Sequence, residues 1–190
     1  MDLGRTALRL VVGPLFAGHG TQKLFGWFGG HGLEGTGAFF EKLGLKPGKR
    51  QAAAAGASET IAGVLLTLGA LTPVAAGLVT GTMITAIRKV HLQKGPWAPD
   101  GGYEYNLTVI AAMLALTEVG PGRPSVDDAA FPNMKGNGLA LAQFATAAAG
   151  AALLTSERAP AVEAAPAEDE VTAPRQERFT RTPSEVHAES

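Results

Sequence analysis

The sequence predicts an all-α membrane bundle of four core transmembrane helices, a fifth Ala-rich helix and a disordered C-terminal tail. Three observations carry this reading. Several windows of about twenty residues carry few formal charges, two of them (60–87 and 136–156) none, and each is long enough for a bilayer core at a rise of 1.5 Å per residue. From Ile61 to Ile87 the polar residues are threonines, whose hydroxyls can bond to their own helix, and glycines, which let membrane helices approach closely. A soluble amphipathic helix would show a polar face there instead. Beyond Ser156 the residues are almost all polar, Ala or Pro, too poor in large apolar groups to offset the entropy of ordering.

The first helix follows from the charge-free run between Arg9 and Lys23, extended by Leu8 on one side and Leu24 to Phe28 on the other. A Gly-rich loop, GGHGLEGTG, comes next. In GAFFEKLGLKPGKR, Phe39, Phe40 and Leu43 share one helical face, the pattern of a short interfacial helix. The segment from Gln51 to Leu92 is too long for one span and carries Gly69 and Thr72-Pro73 near its centre, so it reads as a hairpin of two spans. After QKGPWAPDGG, Tyr103 to Val119 makes a fourth span with Glu104 and Glu118 near its ends. Gly136 to Ser156 is charge-free but mostly Ala, Gly and Thr, which insert more weakly than Leu or Ile. The expected organisation is a membrane domain over residues 1–130, an additional transmembrane helix within 131–156 and a disordered tail over 157–190.

Composition excludes several classes. A chain of 190 residues with net charge −1 and no basic stripe does not suit nucleic acid. Without cysteine it forms no disulfide, thiolate metal site, iron–sulfur cluster or Cys nucleophile of its own. Asp2 weakens a basic n-region and no small-residue cleavage site follows Phe16, so the N-terminus is expected to be retained rather than cleaved as a signal. Gly29-Gly30-His31-Gly32 lacks the strand–turn–helix context of a phosphate loop, and His19 with His91 is a poor metal site, so no metal is expected.

Ionisable groups inside a bilayer ask for a partner or a purpose. In an alternating bundle His19 and Lys23 at the end of the first helix, Glu59 in the second, His91 at the end of the third, and Tyr103, Glu104 and Asn106 at the start of the fourth all lie toward one membrane side. His19 and Lys23, four apart, share a helix face, and Glu59, about eight residues into its helix, should lie as deep as His19. Two readings stay open. Lys23 snorkels and Glu59 pairs with it as structural glue, or His19, Lys23, Glu59, His91, Tyr103 and Glu104 form a polar pocket for a small polar or quinone-like ligand. Lys42, Lys46, Lys49, Arg50, Arg88, Lys89 and Lys94 on that side outnumber Arg5, Arg9, Arg123 and Lys135 on the other, which places the pocket side in the cytoplasm. Gly77 and Gly81 form a G-x-x-x-G spacing, read as close packing inside the monomer rather than a dimer contact.

With those residues in hand the chain resembles the DoxX family of small membrane proteins. The resemblance rests on RLVVGPLFAGHGTQKLFGWFGG, GLEGTGAFFEKLGL, GASETIAGVLLTLGALTP, GGYEYNLTVI and GPGRPSVDDA in that order, over about residues 5 to 130. Pro124 departs from it, standing where the family more often has an aromatic residue, and the Ala-rich segment and tail lie outside it. It implies a four-helix membrane bundle associated with quinone-linked or thiol-linked redox complexes in oxidative stress or sulfur-compound oxidation. His19, Lys23, Glu59, Tyr103, Glu104 and Asp127 fall on the family's recurrent polar positions. The leading expectation is therefore a plasma-membrane subunit or anchor of a redox assembly, with the lipid bilayer and redox enzymes as partners; the cofactor stays open, a quinone being one candidate. A non-enzymatic scaffold and a small-solute permease are the rivals, and homo-oligomerisation stays open.

Overall fold

A computed structural model describes residues 2–156, and the expected disordered tail lies outside the described residues. Among these, the secondary structure is entirely helical: α1 Leu3–Phe25, α2 Gly32–Lys42, α3 Gly48–Leu68, α4 Thr72–Ala86, α5 Glu104–Val119, α6 Val126–Ala130 and α7 Asn137–Thr155. A π-helical turn, Ile87–His91, extends α4.

The first helix starts earlier than the charge pattern suggested and stops sooner. It stops because Gly26 takes a left-handed φ of 74° and returns its N–H to the Gln22 carbonyl. The stretch read as a Gly-rich loop turns helical at Gly32. Propensity is overridden there by packing: Gly37 sits where a Cβ would come 3.0 Å from the Lys49 backbone, so glycine lets α2 lie directly on α3. Glu34 in the first turn and Lys42 in the last complement the helix dipole.

The expected hairpin is α3–α4. Gly69 (φ 62°) and Leu71 (φ 46°) make its turn, and Pro73 opens α4 where its missing N–H costs nothing. Because α3 begins at Gly48, Glu59 lies eleven residues in (59 − 48), deeper than the eight expected and close to the helix centre.

The most extensive helix contact is α1 against α3. It is a glycine seam. Gly13 faces Gly63 and Gly20 faces Gly56, and in an antiparallel pair both contacts have the same residue sum, 76. A seven-residue spacing on each helix keeps both glycines on one face. Thr60 and Thr67 return their hydroxyls to the Gly56 and Gly63 carbonyls at 2.7 and 2.8 Å, so the polar atoms on the seam are satisfied within α3. Around the seam the core gathers Phe16, Leu66, Val79, Met113 and Leu116, with α4 packed against α3, α5 and α7.

Among the described residues one helix, α7, is by itself long and apolar enough to cross a membrane. It is the Ala-rich segment that looked weakest from its composition. By contrast α4 and α5, with 15 and 16 residues, are short, and α1 and α3, with 23 and 21, are long but rich in glycine and polar residues.

Candidate ligand groove

A groove of about 980 Å³ runs the length of α4, from Pro73 to His91. Its floor is the face of α4 that carries Gly77, Leu78, Gly81 and Thr82. Phe16, His19 and Lys23 of α1, with Ala55, Ser58 and Glu59 of α3, form one wall, and Leu139, Gln143, Ala147 and Leu154 of α7 the other. The lining is mainly apolar, with polar groups at a few points.

The chief polar feature is an ion pair. Lys23 Nζ lies 2.5 Å from Glu59 Oε2, with the Glu59 side chain 4% exposed and that of Lys23 24%. In the seam register Lys23 is level with Ala53, so its long stem runs back along the interface to reach the deeper carboxylate. A buried charge left unpaired would be strongly unfavourable, which ties the two residues together. His19 is at the outer lip, its ring edge-on to Phe16 and its Nδ1 3.0 Å from Gln22 Oε1.

Four of the six residues proposed for a polar pocket line this groove: His19, Lys23, Glu59 and His91. His91 sits at its end, with Nδ1 2.6 Å from the Gly101 carbonyl. Tyr103 and Glu104 do not line it. Glu104 Oε1 instead accepts the Ala98 N–H at 2.7 Å and folds the loop before α5, while Tyr105 and the buried Asn106 face the groove. Gln143 was missed from the sequence. Its signal was present, since it is the one amide side chain between Gly138 and Leu154. Among the described residues no group of three His, Asp or Glu gathers to hold a metal ion.

The opposite end of the bundle is built from charges that hold the hairpin. Arg9, 2% exposed, donates from Nε to the Pro121 carbonyl at 2.9 Å, from Nη2 to Pro124 at 2.5 Å and from Nη1 to Thr67 at 3.2 Å. It thus covers the negative end of α3. Asp127, 1% exposed, accepts the Leu71 and Thr72 N–H groups at 2.8 and 2.7 Å, covering the positive end of α4 and holding Leu71 in its left-handed conformation. Arg9, counted from the sequence among the loop-flanking cations, is therefore a buried structural residue. Nearby, the Arg123 backbone N–H and then the Arg5 guanidinium hold the Asp2 carboxyl below the usual carboxylate range.

G-x-x-x-G on α4 is an internal contact. A Cβ at Gly77 would stand 3.5 Å from Gln143 Cγ, and one at Gly81 would stand 3.7 Å from the Ala147 carbonyl. These pairings make α7 parallel to α4.

Comparison with known proteins gives one positive finding: residues 4–92 match the family model of DoxX, a family of small membrane proteins. That span holds α1 to α4 with the π-helical turn, and stops short of the α5 and closing motifs included in the resemblance. No curated protein and no solved structure matches the chain.

Proposed function

From the DoxX domain of residues 4–92, we propose that this chain is a multi-pass membrane protein whose bundle holds an amphipathic, quinone-type ligand as part of a membrane redox assembly. The observation that carries this is the groove: a long apolar trough with the Lys23–Glu59 pair set into its wall. Its volume falls in the range of small-molecule sites, and a few convergent polar groups in an apolar lining are what orient an amphipathic molecule. A small polar solute would find little to bond along most of its length, which weighs against a permease.

Membrane insertion is supported by what the helices leave uncovered. Leu10, Val11 and Leu15 on α1, Ile61, Val64 and Leu68 on α3, Val74 on α4, Leu107 on α5 and Leu141 and Leu153 on α7 are all exposed. Exposed large apolar side chains spread over five helices are what a bundle that faces lipid leaves on its surface. At 1.5 Å per residue α1 and α3 reach about 34 and 32 Å, and α4 with its π-helical turn is of similar order, matching a hydrocarbon core of about 30 Å. No haem-ligand pair, flavin motif or cysteine is present to carry electrons, so the redox chemistry belongs to a partner enzyme and this chain binds or docks.

The test is co-purification. The full chain, extracted into polymer-bounded lipid discs, is analysed for bound quinones by solvent extraction and mass spectrometry, and for accompanying proteins. Stoichiometric quinone in the wild type and its loss in Glu59→Gln support the reading. Partner proteins without quinone in any preparation favour the scaffold instead.

A further inference from the structure

We propose that the mouth of the groove, at the π-helical turn, binds the headgroup of an anionic phospholipid, its phosphate held between Lys89 and Lys94. The site needs the bundle to sit in a bilayer but does not depend on what the groove itself holds. The described residues carry their net positive charge at one end. Toward the end where α1 and α4 finish, eight basic side chains stand against five acidic ones, and toward the opposite end four stand against four. Pairing sharpens the contrast. At the opposite end Arg5 and Arg123 are in ion pairs and Arg9 is buried on carbonyls. Among the described residues no carboxylate lies within ion-pair reach of Arg88, Lys89 or Lys94.

A cation is expected at the negative end of a helix such as α4. The dipole does not require that it face the groove. Lys89, Val90 and His91 are consecutive, yet all three line it. In an α-helix three successive side chains fan over about 200°, and the wider π-helical turn, a feature frequent at functional sites, draws them closer together. Lys94 reaches the same place from beyond the turn. A Cβ on Gly101 would stand 3.2 Å from Lys94 Nζ, and the Gly101 carbonyl is the one that holds His91 Nδ1 at 2.6 Å. The loop beneath is closed by Gly102 N–H on the Trp97 carbonyl at 2.9 Å and Tyr103 N–H on Gly95 at 3.2 Å, so the cations stand on a fixed base. Lysine binds phosphate as a point charge, and basic pockets between membrane helices hold anionic headgroups. Trp97, 64% exposed and three residues after Lys94, has the amphipathic ring that sits at headgroup level. The apolar helix surface below the mouth receives the acyl chains. A soluble anion would use the cations and leave the ring and that surface unused, so the arrangement fits a lipid.

The experiment titrates the full chain in dodecylmaltoside with phosphatidylglycerol and phosphatidylcholine of the same acyl chains, and reads bound lipid by native mass spectrometry. The wild type is expected to take up one phosphatidylglycerol in preference to phosphatidylcholine. Lys89→Gln combined with Lys94→Gln should lose about 25-fold in phosphatidylglycerol affinity, about fivefold for each charge, while phosphatidylcholine changes less than about twofold. Lys94→Gln alone, at an exposed position, should lose about fivefold and keeps the test if the double variant does not fold. The control is Lys46→Gln with Arg50→Gln, both exposed at the same end of the bundle but outside the groove lining, and it should stay within about twofold of the wild type. Equal wild-type affinity for the two lipids, unchanged phosphatidylglycerol affinity in the Lys89 and Lys94 variants, or an equal loss in the control overturns the site. Millimolar inorganic phosphate should not displace the lipid. Displacement would give the cations to a soluble anion and overturn the lipid as occupant.

Discussion

Replacing Gly63 by alanine tests whether the α1–α3 seam is a backbone-to-backbone contact. The added Cβ would stand 2.3 Å from the Ala17 nitrogen, 2.5 Å from the Gly13 carbonyl oxygen and 2.9 Å from the Ala17 Cα. All three atoms are backbone, so no side chain can swing aside. Restoring a 3.4 Å contact to the nearest of them needs a separation of about 1 Å (3.4 − 2.3). A gap of that size forfeits up to about half of each contact's dispersion energy along the interface. The result should lie near the upper end of overpacking costs, about 3 kcal/mol, against a helix-propensity gain of at most about 1 kcal/mol for losing a glycine. Gly18→Ala on α1 is the matched control, because a Cβ there meets nothing within 4 Å. It should be neutral or slightly stabilising. In lipid discs the thermal midpoint of Gly63→Ala should fall by about 6–12 °C, on the usual scaling for a chain of this size, and Gly18→Ala should not lower it. A Gly63→Ala midpoint within about 2 °C of wild type would refute the seam, as would an equal loss in the control.

The other expectations concern the charges, insertion and orientation. Glu59→Gln should destabilise by about 2 kcal/mol, less than the 3–5 kcal/mol of a fully buried pair because Lys23 is 24% exposed, and by more than Glu41→Gln. Equal midpoints for the two variants would deprive Glu59 of any special place. Arg9→Lys should cost about 2–3 kcal/mol, since an ammonium cannot reproduce the spread of bonds to Pro121, Pro124 and Thr67; a wild-type midpoint would show that the guanidinium is not needed. The chain should stay with membranes through carbonate extraction, and recovery as a monodisperse aqueous protein would end the membrane reading. For orientation, Gln93→Cys and Asn133→Cys, both exposed and in a chain without cysteine, can be probed in intact cells with an impermeant thiol reagent. Labelling at position 133 with protection at 93 is expected, and the reverse would invert the topology.

Much of this architecture was legible because it depends on composition along one dimension. The charge-free windows, Gly69 with Thr72-Pro73 and the Ala-rich run located α1, the α3–α4 hairpin, α5 and α7 to within a few residues. His19 and Lys23 on one face of α1 followed from helical spacing, and their common side with Glu59 from chain reversal alone. Other features depend on which surfaces meet, and that has no signature in a single window. Gly13, Gly20, Gly56 and Gly63 are unremarkable among 25 glycines until the antiparallel register pairs them. Arg9 looked like a flanking cation, but the carbonyls that surround it come from residues more than fifty positions away. Glu104 looked like a pocket group, yet its nearest donor is six residues back in its own loop, and local bonding takes it. Gln143 stands out in the sequence as a lone amide in an apolar run, but its partner Thr80, 63 positions away, is met only because α7 folds parallel to α4. What the sequence by itself determined is where apolar helices begin, turn and end, since burial and backbone satisfaction act on each segment separately. Which polar groups are consumed by the fold and which are left facing the groove was decided by the tertiary structure, because a hydrogen bond needs its partner at 3 Å and only packing brings distant residues that close.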